Sequence, residues 1–488
     1  MSHCHKKIIV FILLGLIILI GAFYRIKGIS SSQSFWSDEA YVSTISRDII
    51  AGKVNFFSAI NVLDYQRLQI ATTYLSFKIF GVSEISARIP SVLWGTIGII
   101  FAYLLAKTLS DEGGGLLSAL IFSILQINLS QSTQAKPYSA IETILLIVLW
   151  LLSIIDTNKH KIRIHITLIL LASMATLYNY IGVVCWVPYF IYIFPSFFHN
   201  KSIKKYSTLF ILLIIVGIFS FQVYKFIPWL LSPKYNWVTY LRELMWRQYA
   251  FIVLPAIFGL FMIKDKKIFW SITIIISLML YAWTFIVGSH NLRYLIPLFG
   301  MIVILFSIFW ANVGKIIFKK SILICLSVAL LVYAGGYKVV RKPAAYYTPN
   351  ADFTADVQNA DYKTFFKKTY QLYPDFDNLP VFVGPFDTLS WYTDRNPTAI
   401  FSIDTSKPVF VDAVKSWQYG SLTDFKTQQA KYLKGLVVVN DWQSFMPDDI
   451  KDYVKKNMRL ELRVESMTVS PDEKWPLELY SWGFDNKK

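Results

Sequence analysis

Long apolar runs, each closed by a few lysines, arginines or turn residues, repeat along the first two thirds of this chain. A helix that crosses a bilayer needs roughly 20 apolar residues, with about 17 as the lower limit. Runs near that length fall at 8–24, 88–107, 114–130, 138–155, 164–180, 181–198, 207–224, 248–263, 268–287, 294–313 and 321–340. The pattern therefore predicts a polytopic α-helical membrane protein of about eleven spans. The first run, Ile8 to Tyr24, is longer than the apolar part of a usual signal peptide and lacks a small-x-small cleavage site. It reads as an uncleaved first helix. The stretch "RLQIATTYLSFKIFG" is too short and too punctuated to cross, and fits an amphipathic helix lying in the interface plane.

After about Pro343 the pattern changes. Short β-rich runs ("PVFVG", "PVFVD", "GLVVV", "LELRVESM") alternate with helix-like ones ("TADVQNADYKTFFKKTYQLY", "LTDFKTQQAKYL", "MPDDIKDYVKKN"). The expected organisation is a membrane domain over 1–342, with a first outer loop at 25–87, and a small α/β domain over 343–488.

Composition supports this reading. Of 488 residues 55% are hydrophobic and 16% charged, more apolar surface than a soluble chain can hide. Residues 1–342 hold 31 Lys and Arg against 11 Asp and Glu, whereas residues 343–488 hold 17 against 20. The basic excess belongs to loops beside the bilayer, so the charge is no argument for nucleic acid. Lys6–Lys7, Lys107, Lys159/Lys161/Arg163, Lys201/Lys204/Lys205, Lys264/Lys266/Lys267 and Lys315/Lys319/Lys320 fall in alternate loops. By the positive-inside rule those loops are cytoplasmic, which puts the N-terminus inside and the C-terminal domain outside. The loop at 225–247, with four basic residues, is the exception. Its Trp229, Tyr235, Trp237, Tyr240 and Trp246 suit an interfacial aromatic belt or a sugar-stacking surface. Cys4, Cys185 and Cys325 offer neither a disulfide framework nor a metal spacing. His3 and His5 lack a third ligand and read as part of a cytosolic end.

The candidate chemistry lies at the outer ends of the spans. Asp38 and Glu39 stand side by side in "SFWSDEAYVSTISRD", and Asp64 follows in the same loop. Asp38 also suits an N-cap for a helix starting near Ala40. Arg88 opens the second span, Lys136 lies in "SQSTQAKPYSA" and Arg293 in "SHNLRYLIPL". Basic groups at the outer face break the positive-inside rule unless an anion meets them there. Carboxylates facing several cations suit a phosphate-bearing lipid with a base beside it. Glu142, within the fourth span, is a functional candidate as an intramembrane carboxylate, or a partner for Lys136 or Lys107.

"SFWSDEAYVSTISRD", "FGVSEISARIPSVLWG", "LSQSTQAKPYSAI" and "RYLIPL", in that order over most of residues 1–300, resemble the successive signatures of the GT-C superfamily of integral-membrane glycosyltransferases. The closest likeness is to the branch holding protein O-mannosyltransferases and lipid A aminoarabinose transferases. The resemblance implies an inverting glycosyltransferase of the cell membrane. It would move a sugar, hexosyl or pentosyl, from a polyprenyl-phosphate donor to an acceptor protein, lipid or cell-envelope glycan outside the cytoplasm. Carried over, Asp38 is the catalytic general base or acceptor-orienting acid, with Glu39 as its support. Asp64, Arg88, Lys136, Tyr138, Arg293 and Tyr294 bind substrate, the cations holding the lipid phosphate. Where relatives have His-Pro-Pro or Glu-Lys-Pro this chain has Asp64-Tyr65-Gln66. Its version of the Glu-Ala-Arg-x-Tyr element is Gln134-Ala135-Lys136-Pro137-Tyr138, which keeps a positive charge but not the guanidinium fork. No cofactor is certain. A divalent metal cation on Asp38 and Asp64, with His290 as a further ligand, stays open. The alternative reading is a transporter or flippase of lipid-linked sugars, which predicts pseudo-symmetric halves and a two-sided pathway. The sequence shows neither.

Overall fold

The computed structural model describes residues 3–30, 34–35, 37–60, 66–199, 247–282, 292–319, 321–334, 360–384, 386–403, 405–411, 414–440, 446–465 and 476–484. The first part is helical: α1 (His3–Ser30), α2 (Ser37–Ile50), α3 (Phe56–Ala59), α4 (Arg67–Phe80), α5 (Glu84–Leu109), α6 (Glu112–Ile124), α7 (Gln126–Ser132), α8 (Tyr138–Ile154), α9 (Lys161–Tyr178), α10 (Trp186–His199), α11 (Arg247–Phe261), α12 (Lys266–Tyr281), α13 (Ile296–Phe318) and α14 (Ser321–Ala334). Four of these, α1 from Lys7 onward, α5, α9 and α13, are long and apolar enough to cross a membrane. Helix α13 is the hub. Most of it is buried, against α11, α14, α6 and α8. Helix α1 lies at the rim and turns Phe11, Leu19 and Phe23 outward, as a lipid-facing helix does.

Ten of the eleven expected runs coincide with helices, and the run at 207–224 lies outside the described residues. The run at 114–130 is not one helix. Leu125 adopts an extended backbone (φ −63°, ψ 124°) and divides it into α6 and α7. A 13-residue α6 is about 20 Å long, short of a bilayer core of about 30 Å. It is followed by α7, whose polar residues Gln126, Asn128, Ser130 and Gln131 are all buried in protein. The run at 181–198 starts with a 3-10 turn, Tyr180–Cys185. There Gly182 passes so near α9 that a Cβ would lie 2.0 Å from the Ala175 carbonyl oxygen.

Local chemistry sets the start of α5. Ser83 caps it by accepting from the Ser86 N–H at 3.1 Å. Pro90 lies one turn further and has no N–H for the Ser86 carbonyl. Ser76 Oγ of α4 donates to that carbonyl instead, at 2.5 Å. Both serines are buried. Ser76→Ala therefore leaves a buried carbonyl unsatisfied and lowers stability by about 1–3 kcal/mol, while Ser76→Thr retains most of it; thermal unfolding of the detergent-purified protein measures the difference.

The expected cytoplasmic loops meet at one end of the bundle. Lys315 Nζ lies 3.0 Å from Asp111 and 3.2 Å from the Ser110 carbonyl, and Lys107 Nζ lies 3.8 Å from Glu112. Lys267 pairs with Asp156 in the same layer.

Residues from Ala360 onward form a mixed seven-stranded sheet ordered β3-β4-β2-β1-β5-β7-β6. The strands are β1 (Val381–Val383), β2 (Ala399–Phe401), β3 (Val409–Val411), β4 (Ser416–Tyr419), β5 (Gly435–Asn440), β6 (Arg459–Val464) and β7 (Leu477–Trp482). Strands β4, β2, β1 and β5 run parallel, with antiparallel strands outside them. Central β5 is buried on both faces. Its Leu436 and Val438 face the core of α15 (Tyr362–Leu372) and α16 (Asp387–Thr393), while Val437 and Val439 face α17 (Leu422–Gln429) and α18 (Asp448–Asn457).

Candidate active site

Four connections converge at the opposite end of the bundle: the segment entering α2, the first turns of α5, the turn between α7 and α8, and the 3-10 turn Leu292–Leu295 before α13. Helix α2 begins at Ser37, earlier than expected, so Asp38 lies inside its first turn rather than capping a helix from Ala40. Carboxylates there meet the positive end of the helix dipole. Neighbours on a helix point about 100° apart, and here that angle separates the acidic pair. Glu39 turns inward and is fully buried; Asp38 turns outward and keeps 43% of its side chain exposed.

Glu39 accepts three hydrogen bonds from two neighbours. Its Oε1 accepts from Arg88 Nε at 2.9 Å and from the Ala135 N–H at 2.7 Å, and its Oε2 accepts from Arg88 Nη2 at 3.2 Å. Arg88 is equally buried, with its guanidinium 4.8 Å from the centre of the Phe35 ring. This forked, charge-assisted pair ties α2, α5 and the α7–α8 turn together. The sequence expectation places Arg88 on the lipid phosphate and Glu39 behind Asp38; in the structure the two side chains pair with each other inside the protein.

Lys136 occupies the α7–α8 turn and is almost wholly buried, yet its Nζ reaches Asp38 Oδ2 at 2.8 Å. The Lys136 backbone is fixed as well, its carbonyl accepting from Ser91 Oγ at 3.0 Å. Two residues on, the Tyr138 ring meets Tyr294 edge-on, with centroids 6.1 Å apart, which brings the turn carrying Arg293 against the start of α8. Asp64 and His290 lie outside the described residues, as does the aromatic loop at 225–246, and Arg293 is described only in its backbone. Among the described residues no three His, Cys, Asp or Glu side chains converge as metal ligands. Asp38, the one described member of the expected metal pair, faces the Lys136 ammonium.

Glu142 is buried in the bundle against Gly300, and the cation acting on it is Arg25 of α1. The expected partners are otherwise engaged, Lys136 by Asp38 and Lys107 by Glu112.

One residue at this end escaped the sequence reading. Asp387, in the first turn of α16, accepts a short hydrogen bond from the Ser37 hydroxyl. Burial pushes its carboxyl up to about 7, the Ser37 hydrogen bond works against that rise, and the charge of Asp38 adds to it. The available signal was its place just past β1, since open α/β sheets gather functional groups beyond the carboxyl ends of their parallel strands.

Residues 70–224 match the family model described as dolichyl-phosphate-mannose-protein mannosyltransferase. No curated protein matches the chain in sequence. Among solved structures, the chain is similar to ArnT from Cupriavidus metallidurans in the apo state, with a TM-score of 0.58 and 11% identity over 98% of both chains. The same protein bound to undecaprenyl phosphate gives a TM-score of 0.58 and 10% identity over 97% of this chain and 98% of that one. The Archaeoglobus fulgidus oligosaccharyltransferase tethered with an acceptor peptide containing the NVT sequon gives 0.54 and 10%, covering 90% of this chain and 70% of that one. At these identities the likeness is one of fold, and the fold is that of the GT-C membrane glycosyltransferases, as the order of the sequence motifs implied.

Proposed function

We propose that the chain is an inverting glycosyltransferase that moves a sugar from a polyprenyl phosphate to an acceptor at the outer face of the membrane. The observation that carries this reading is the half-exposed Asp38 carboxylate, held 2.8 Å from the buried ammonium of Lys136 at the converging end of the bundle. A base open to an acceptor and a buried cation that adds positive charge beside the donor phosphate are thereby side by side. Asp38 takes the acceptor proton as the acceptor atom forms its bond to the anomeric carbon. The bond from that carbon to the phosphate oxygen breaks on the far side, which inverts the centre, and negative charge grows on the departing polyprenyl phosphate. Lys136 and Arg293 meet that charge. Tyr294, backed by the buried Tyr138, contributes to the sugar site, and the Glu39–Arg88 pair keeps Asp38 in place.

The donor class is supported by the shared fold with ArnT, which has been seen with undecaprenyl phosphate, and the acceptor class by the oligosaccharyltransferase seen with a peptide. The outer-face assignment rests on loop charge, because lysine-bearing loops occupy the end opposite Asp38. The test is transfer by purified full-length protein in detergent from a panel of radiolabelled polyprenyl-phosphate sugars to membrane acceptors. Label leaving one donor for an acceptor supports the reading and names the sugar. Silence across the panel, with labelled lipid instead crossing reconstituted vesicles, sinks it in favour of a transporter.

Arg293→Ala is expected to raise KM for the polyprenyl donor about tenfold, the equivalent of one charge-assisted hydrogen bond at about 1.4 kcal/mol. A donor titration checks this, and an unchanged KM removes Arg293 from the phosphate site.

A further inference from the structure

The three described residues that lead into the acidic pair are each bonded to the C-terminal domain. Ser34 Oγ donates to Asp361 Oδ1 at 3.2 Å and accepts from the Lys363 N–H at 2.9 Å. The Phe35 N–H donates to the Tyr392 hydroxyl at 2.7 Å, and the Ser37 hydroxyl donates to Asp387. Further along α2, Arg47 reaches the last turn of α16, where the carbonyls of Ser390 and Trp391 have no partners within the helix. Its Nη1 donates to both, at 3.1 Å each, and its Nη2 pairs with Asp394 at 2.8 Å. Lys53 meets the same Asp394 at 2.8 Å. Between these ends the Trp391 ring lies 4.9 Å from Phe35 and 6.0 Å from Phe77 of α4. Tyr392 also donates to Glu84, the first residue of α5, which Lys363 approaches to 3.4 Å.

An ornamental domain would need none of this at the one helix that carries Asp38. We infer that the C-terminal domain is a working part of the catalytic unit, and that Asp387 is a positioning residue which sets the Asp38 carboxylate by holding Ser37. The functional half of this inference rests on the transferase reading above. Residue Ser37 opens the helix and Asp38 follows it, so the direction of the Asp38 side chain depends on how the first turn is anchored. That turn is anchored inward by Glu39 on Arg88 and outward by Ser37 on Asp387. Removing the outer anchor lets Asp38 swing on its half-exposed side. A displacement of about 1 Å at a reacting group is enough to cost about 10²-fold in rate.

The experiment compares wild type, Asp387→Ala and Asp387→Asn as full-length purified proteins. It reads kcat, donor KM, thermal midpoint and amide hydrogen exchange over residues 34–50. The Asn carbonyl still accepts from Ser37, and the Ala side chain does not. Asp387→Ala is expected to lower kcat by about tenfold or more with donor KM within about twofold, to leave the midpoint near wild type, and to speed exchange in the first turn of α2. Asp387→Asn is expected to recover most of kcat and of the protection. A wild-type kcat in the Ala variant overturns the inference, and so does an Asn variant as slow as Ala. A kcat loss matched by a collapsed midpoint with exchange raised throughout the protein overturns it too, because the residue would then be merely structural. If wild type transfers nothing from any donor, the transferase reading fails by itself. The exchange arm still decides whether Asp387 anchors α2.

Discussion

Replacing Asp38 with Asn lowers kcat for sugar transfer by about 10²–10⁴-fold, the range of a positioned general base, and leaves donor KM within about threefold. The substitution isolates the proton step. Asn has nearly the shape of Asp, and its carbonyl still accepts from the Lys136 ammonium now 2.8 Å away. The buried lysine therefore keeps a partner and the α7–α8 turn keeps its place. What disappears is a group able to take a proton from an attacking acceptor. Single-turnover transfer with preloaded donor measures that step without product release. Equal rates in Asp38→Asn and wild type would end the base assignment and leave the residue as a partner for Lys136.

The second large effect falls on stability. Glu39→Ala strands the Arg88 guanidinium, and Arg88→Ala strands the Glu39 carboxylate, in surroundings where neither side chain has any exposed area. Breaking a buried ion pair from one side costs about 3–5 kcal/mol, because the remaining buried charge loses its opposite charge. Thermal unfolding of the full-length protein is expected to show that loss for either single variant. Replacing both together, Glu39→Leu with Arg88→Met, is expected to recover more than half of it, since an apolar pair of similar volume has no charge to bury. Transfer would stay low in the double variant. The Ala135 N–H, which donates to Glu39 at 2.7 Å, would lose its acceptor, and the α7–α8 turn would keep only the Lys136–Asp38 contact of its two holds on α2. A double variant no more stable than either single one would contradict the pair as drawn.

These two carboxylates also show what local reading achieves. The adjacent Asp38 and Glu39 stand out in the sequence because carboxylates are scarce in so apolar a chain, and a phosphate-and-base chemistry follows from Arg88, Lys136 and Arg293 recurring at helix ends. Which acid faces out is a matter of helix phase, and phase depends on where the helix begins. The sequence suggested a start near Ala40; the first turn starts at Ser37, because partners from α5, the α7–α8 turn and α16 make that turn worth forming. Arg88 reads in the sequence as a phosphate cation, and only the structure shows Glu39 2.9 Å away. A charge is assigned to ligand or scaffold by what lies across from it, and that neighbour can be dozens of residues distant.

In the C-terminal domain, β1, β3, β5 and β6 and the helices α15, α17 and α18 follow the apolar and amphipathic runs that mark them in the sequence. The short β2 and β4 and the seven-residue α16 carry no such run, nor does the six-residue β7. "AIF", "SWQY" and "DTLSWYT" are too brief for a period to show, and they hold their shape through pairing and docking rather than propensity.

By itself, then, the sequence determined that the chain is a bundle of apolar helices with basic loops at one end, an acidic pair at the other and a separate α/β unit behind. Those features are encoded in composition and in periods of 3.6 and 2, which any stretch of about ten residues displays. The tertiary structure decided that Asp38 faces outward on Lys136 while Glu39 is sealed on Arg88, that the third apolar run breaks at Leu125, and that α16 lies across α2 with Asp387 on Ser37. Those outcomes depend on contacts between residues up to 350 positions apart, and no local pattern carries information about a partner that far along the chain.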